Sequence, residues 1–132
     1  MGSIFSKIVA RELPAHIVAE NEDFLAFLDI NPLKEGHTLV IPKVEIDYLF
    51  EVDDALLASI LPFSKKVAKA IEQVVPCERI GVAVVGLEVP HAHIHLIPIN
   101  SINDMDFNQM KLSPSQDELG SIAAKIREAF TG

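Results

Sequence analysis

His91-Ala92-His93-Ile94-His95-Leu96-Ile97 alternates an imidazole with an apolar side chain. On an extended chain successive side chains point to opposite faces. His91, His93 and His95 therefore share one face, while Ala92, Ile94 and Leu96 share the other and face a core. Neighbouring imidazoles on such a face stand roughly 6 to 7 Å apart, so three of them can surround one phosphate-sized group. The run belongs to a long strand predicted from Val89 to Ile99. The chain's five histidines stand at 16, 37, 91, 93 and 95, so three of the five gather on this one face.

Imidazole suits phosphorus chemistry. Its pKa near 6.5 lets it act as a neutral nucleophile or as a protonated donor at cellular pH. A neutral ring nitrogen can attack phosphorus and form a covalent phosphoramidate, splitting one difficult displacement into two easier ones. Neighbouring imidazoles can donate to the phosphoryl oxygens as their charge shifts. Two other readings of the same residues are three solvent-facing histidines without chemistry, and a zinc site, since alternating histidines can converge on a metal.

Outward from the histidines, Arg79 to Val85 is a β-branched apolar run that suits a central strand covered on at least one face. Towards the N-terminus, His37 to Pro42 is a strand closed by proline. His16 to Glu20 and Phe24 to Leu28 form a hairpin around Asn21-Glu22-Asp23. Ser3 caps a short helix with Ile4, Phe5 and Ile8 on one side, ended by Pro14. Asp53 caps a long helix reaching about Val75, with Leu56, Leu57, Ile60, Leu61, Ala68, Ile71 and Val75 as its apolar stripe; Pro62 should kink or break it. Ser113-Pro114-Ser115-Gln116 offers a capping box, with Pro114 as the first helical residue. The C-terminal helix that follows carries Leu119, Ile122, Ala123, Ile126 and Phe130 on its apolar side. The fold expected is α+β: one domain over residues 1–132, with five strands, a long kinked helix and shorter N- and C-terminal helices. His16 reads as a surface residue.

The chain has 132 residues, half of them hydrophobic, enough for a sizeable core. Its formal charge of -8 excludes broad binding to nucleic-acid backbone and leaves any phosphate site dependent on local groups. No apolar run is long enough to span a bilayer, and residues 1–10 lack the features of a signal peptide. With a single cysteine, Cys77, the chain is expected in the cytoplasm, where Cys77 is a small boundary residue rather than a nucleophile.

The triple-histidine run resembles the signature of the histidine triad (HIT) family, His-φ-His-φ-His-φ-φ with φ hydrophobic, and fits it at every position. Two further segments are similar to that family in order and spacing: Phe27-Leu28-Asp29-Ile30-Asn31-Pro32 with Gly36-His37-Thr38-Leu39-Val40-Ile41-Pro42-Lys43, and Ile4-Phe5-Ser6-Lys7-Ile8. The resemblance, over roughly residues 3 to 108, implies an antiparallel sheet and a homodimer whose sheets join across a two-fold axis. It implies a purine nucleotide site, and the histidine pattern itself needs no metal or other cofactor. His93 would be the nucleophile, His95 and His37 phosphate contacts, and His91 a support for the array. Asp29 would accept from the ribose hydroxyls. Ile4, Phe5, Ile8, Phe27, Ile30 and Leu39 would line the base pocket. The chain departs from many relatives just before the triad, where Gly86-Leu87-Glu88-Val89-Pro90 replaces a Gly-Gln-Ser or Gly-Gln-Thr run. Glu88 there would either repel phosphate or deliver a proton to a leaving group. Two readings follow from the resemblance: a nucleotide hydrolase, and a nucleotide-binding protein with negligible catalysis that acts through its dimer surface.

Overall fold

A five-stranded sheet in the order β1-β2-β3-β5-β4 carries the molecule, and every neighbouring pair in it is antiparallel. The computed structural model describes residues 2–132; Met1, the first residue of the expected domain, lies outside the described residues. The strands are β1 (Ile17–Glu20), β2 (Phe24–Leu28), β3 (Thr38–Pro42), β4 (Arg79–Ala83) and β5 (Ile94–Ile99). The helices are α1 (Ile4–Val9), α2 (Asp54–Val74) and α3 (Gln116–Ala129).

The alternation along β2 and β3 sorts the core into two layers. Phe24, Ala26, Leu28 and Val40 join Ile94 and Leu96 on the face covered by α2 and α3. Leu25, Phe27, Leu39 and Ile41 face the other way, toward Phe5 and Ile8 of α1. Leu39 pairs with His95 across the sheet, which sets His95 on the α1 side. The C-terminal helix spends its apolar side inside the chain: Leu119, Ala123 and Ile126 are buried in the same cluster as α2.

Four expectations need correction. Helix α2 is not broken at Pro62, which sits on its exposed side. Helix α3 starts two residues late. Its cap is Ser115, which accepts from Glu118 N–H while Glu118 accepts from Ser115 N–H; the Gln116 side chain needed for a box on Ser113 bonds His16 instead. Strand β4 is not central. It forms the sheet edge, stops at Ala83, and leaves Val82, Val84 and Val85 exposed. Strand β5 begins at Ile94 rather than Val89, because Pro90 has no N–H, His91 N–H turns back to Val89 C=O, and Ala92 N–H donates to Ile46 C=O outside the ladder. Among the described residues no helix is long and apolar enough to cross a membrane.

Candidate active site

His91 and His93 precede β5 and His95 lies within it, yet the three rings form one array with His37, the residue just before β3. The His93 and His95 ring centres are 5.0 Å apart, and those of His95 and His37 are 5.2 Å apart. Phe5 of α1 packs edge-on against His93 at 5.1 Å and against His91 at 5.9 Å. All four histidines are buried.

Backbone groups fix the ring protons, because an amide N–H only donates and a carbonyl only accepts. Leu33 N–H donates to His37 Nδ1 at 3.1 Å. His37 must then carry its proton on Nε2, which donates to His95 Nδ1 at 2.9 Å. His95 is left with its proton on Nε2, a donor without a partner among the described residues. His93 Nδ1–H donates to His91 C=O at 2.7 Å, which leaves the His93 Nε2 lone pair bare. His91 Nε2–H donates to Pro42 C=O at 2.8 Å, and His91 Nδ1 accepts from Ser3 Oγ at 2.9 Å. A bare nitrogen and an N–H donor thus stand side by side.

The neutral state this requires is enforced by burial, which pushes His37 down to about 3 and His95 down to about 4. Burial also lowers His91, against the raising influence of Pro42 C=O and Glu45. The carboxylate acting on His91 is therefore Glu45, not Glu88. Glu45 accepts from Ser3 N–H at 2.6 Å and from Ser6 Oγ–H, and those bonds, Ser6 first, lower its own pKa. Nothing in the local sequence around Glu45 marks it; it reaches the site only because the loop after β3 folds against α1.

Asp29 follows β2, with Oδ1 accepting from Asn31 N–H at 2.9 Å and Oδ2 standing 3.9 Å from His37 Nε2. Burial raises its pKa. A cavity of about 260 Å³ opens beside it. Ile4, Phe5, Ile8, Phe27, Ile30 and Leu39 line that cavity, as do Leu13, Pro14 and Ala15. The last three were not expected in the cavity wall, because they lie in an irregular segment without periodicity. Phe107, whose ring meets His95 edge-on at 4.9 Å, was missed for the same reason. Glu88 lies exposed in the loop between β4 and β5, and its charge is felt at Asp29. His16 is half-buried and its ring bonds Gln116 rather than a ring of the array. Cys77 is half-buried with its thiol pushed up by burial, which suits a boundary residue better than a nucleophile.

Asp29, His37 and His95 offer ligand atoms within 4.8 Å of one another, a metal-like spacing. The donors do not fit. To bind a metal through Nε2, His37 would need its proton on Nδ1, where Leu33 N–H already donates. His91 has both ring nitrogens engaged.

Comparison with known proteins agrees with this geometry. The HIT domain profile matches residues 10–102. Adenosine 5'-monophosphoramidase hnt1 of Schizosaccharomyces pombe is 43% identical over 74% of this chain and 74% of its own. The crystal structure of a Hit-like protein involved in cell-cycle regulation from Bartonella henselae superposes with a TM-score of 0.83 at 32% identity, covering 97% of this chain and 96% of that one. A zinc-bound histidine triad family protein from Mycobacterium smegmatis gives 0.79 at 26% identity, over 96% and 91% of the two chains. The chain belongs to the histidine triad family.

Proposed function

We propose that the chain, as one domain, hydrolyses a purine nucleoside phosphoramidate or a dinucleotide in two displacements on the α-phosphorus. His93 Nε2 attacks, forming a nitrogen–phosphorus bond as the bond to the leaving group breaks. Water then attacks the nucleotidyl-histidine, releases the mononucleotide and returns His93 to its free state. The observation that carries this reading is the bond from His93 Nδ1–H to His91 C=O, which bares Nε2 and faces a carbonyl toward the positive charge that develops on the ring during attack. His95 Nε2–H would donate to a phosphoryl oxygen, and His37 would hold His95 in that tautomer. Asp29 would accept from the ribose hydroxyls, and the apolar cavity beside it would take the base. Glu88, exposed and charged, would relay a proton from solvent to a basic leaving group. The phosphoramidase relative supports the phosphorus–nitrogen class. The zinc of the mycobacterial relative is not carried over, because His37, part of the metal-like cluster, accepts from Leu33 N–H on Nδ1 and so presents a proton rather than a lone pair on Nε2. The single cysteine favours a cytoplasmic setting.

The test is to mix adenosine phosphoramidate with the protein, quench within a turnover, and map the adduct by mass spectrometry. We expect a nucleotidyl group on His93. His93→Ala should lose turnover by about a thousandfold or more while binding AMP nearly as well. Near wild-type turnover in His93→Ala would end the mechanism. AMP binding without adduct or turnover in the wild type would favour the second reading, a nucleotide-binding protein with negligible catalysis.

A further inference from the structure

A phosphate arriving at this site meets a chain of net charge -8 and buried imidazoles held neutral. Asp29 and Glu88 both oppose it. A fixed positive charge is missing from every residue of the triad and its flanks. It comes instead from residues 107–114, which lie beyond the 10–102 stretch that the family shares.

This segment is held across the site at both ends. Phe107 sets its ring on His95. Gln109 Nε2 donates to Asp104 C=O at 2.9 Å. Leu112 N–H donates to Pro32 C=O at 2.9 Å, next to the turn that carries Asp29. Leu112, Ser113 and Pro114 share the walls of a cavity of about 280 Å³ with Asp29 and His37. Lys111 is strung between these anchors. No carboxylate pairs with it among the described residues, whereas Lys34 nearby is paired with Asp104 at 3.3 Å. Its charge is felt at Asp29, His37 and His95, and among the described residues it is the lysine or arginine that acts on those three groups.

We propose that Lys111 binds the substrate's phosphate, its ammonium closing on the group that His95 holds, with residues 107–114 as the strap that carries it there. The assignment rests on the nucleotide reading above. It also explains how an acidic protein takes an anionic substrate: the complement is one unpaired lysine rather than a basic surface.

The test is calorimetric titration of the full chain with AMP and with adenosine, at low and at physiological salt, for wild type, Lys111→Met and Lys111→Arg. In Lys111→Met the AMP affinity should fall about tenfold while adenosine binds as before, since a charged hydrogen bond is lost and the apolar stem is kept. Lys111→Arg should recover most of the loss. Unchanged AMP affinity in Lys111→Met overturns the proposal. So does an equal fall for AMP and adenosine, which would make the strap merely structural. A wild type that binds AMP through Lys111 yet turns over no nucleotide leaves the assignment standing and removes the hydrolase reading. A wild type that does not prefer AMP to adenosine removes both.

Discussion

Leu33 N–H decides which nitrogen of His37 carries a proton, and His37 in turn decides the state of His95. Neither constraint could be read from the triple-histidine run, which is local, whereas Leu33 and His37 belong to a loop that only the folded sheet brings to it. The run did reveal which residue types would meet, because side-chain alternation depends on the backbone alone. The relay has a consequence for stability. In the unfolded chain both rings take a proton near pH 6.5, but in the folded chain only near 4 for His95 and near 3 for His37. Between those values the unfolded state binds more protons, so stability is full above pH 6.5 and falls as the pH is lowered toward 4. Between pH 7.5 and 5.0 His95 alone should cost about 2 kcal/mol, before most carboxylates titrate. Urea unfolding at the two pH values measures this. The loss should shrink in His95→Asn, and equal stability at both pH values in the wild type would show that the rings are not held neutral.

At the scale of elements, α1 is the piece whose position matters most, since it supplies Ile4, Phe5 and Ile8 to the apolar cavity beside Asp29 and Ser3 to His91. Six residues of helix do not hold themselves in place. Burial of Phe5 and Ile8 contributes, and Glu45 adds the polar tether through Ser3 N–H and Ser6 Oγ–H. Glu45→Ala should therefore raise hydrogen exchange at the α1 amides and weaken nucleotide binding, while Glu45→Gln, whose amide oxygen still accepts both bonds, should stay close to wild type. Wild-type exchange in α1 of Glu45→Ala would remove Glu45 from the site's support. The helix itself was legible from Ser3 and the Ile4-Phe5-Ile8 spacing, but its tether was not. Element ends were the least legible part for a related reason. The start of β5 depends on Ala92 N–H finding Ile46 C=O, a partner 46 residues away in sequence. The buried-looking run from Arg79 to Val85 turned out to be an edge, because an apolar strand reads alike whether this chain or another molecule covers it.

The whole molecule leaves that edge open. Among the described residues the sheet has no strand beyond β4, Val82 is 54% exposed, and Val84 and Val85 are exposed just past it. Phe50, 74% exposed, and Tyr48 stand nearby, lining with Val84, Val85 and His93 a cavity of about 360 Å³. An open apolar edge invites pairing, and in a stable protein something covers it. We expect a second copy of the chain, with β4 against β4 about a two-fold axis, since a self-complementary patch needs no other partner. The family resemblance implied sheets joined across a two-fold axis, and because the apolar side of α3 is spent within the chain, this edge is the surface left to carry such a joint. Light scattering at micromolar concentration should give twice the 14.5 kDa chain mass. Val82→Lys puts a charge in the middle of the edge strand and should give a folded monomer. Because the cavity beside His93 borders the same surface, the monomer should also turn over bulky leaving groups differently from small ones. A wild type that scatters as a single chain would overturn the dimer, and a Val82→Lys protein that remains a dimer would move the interface away from β4.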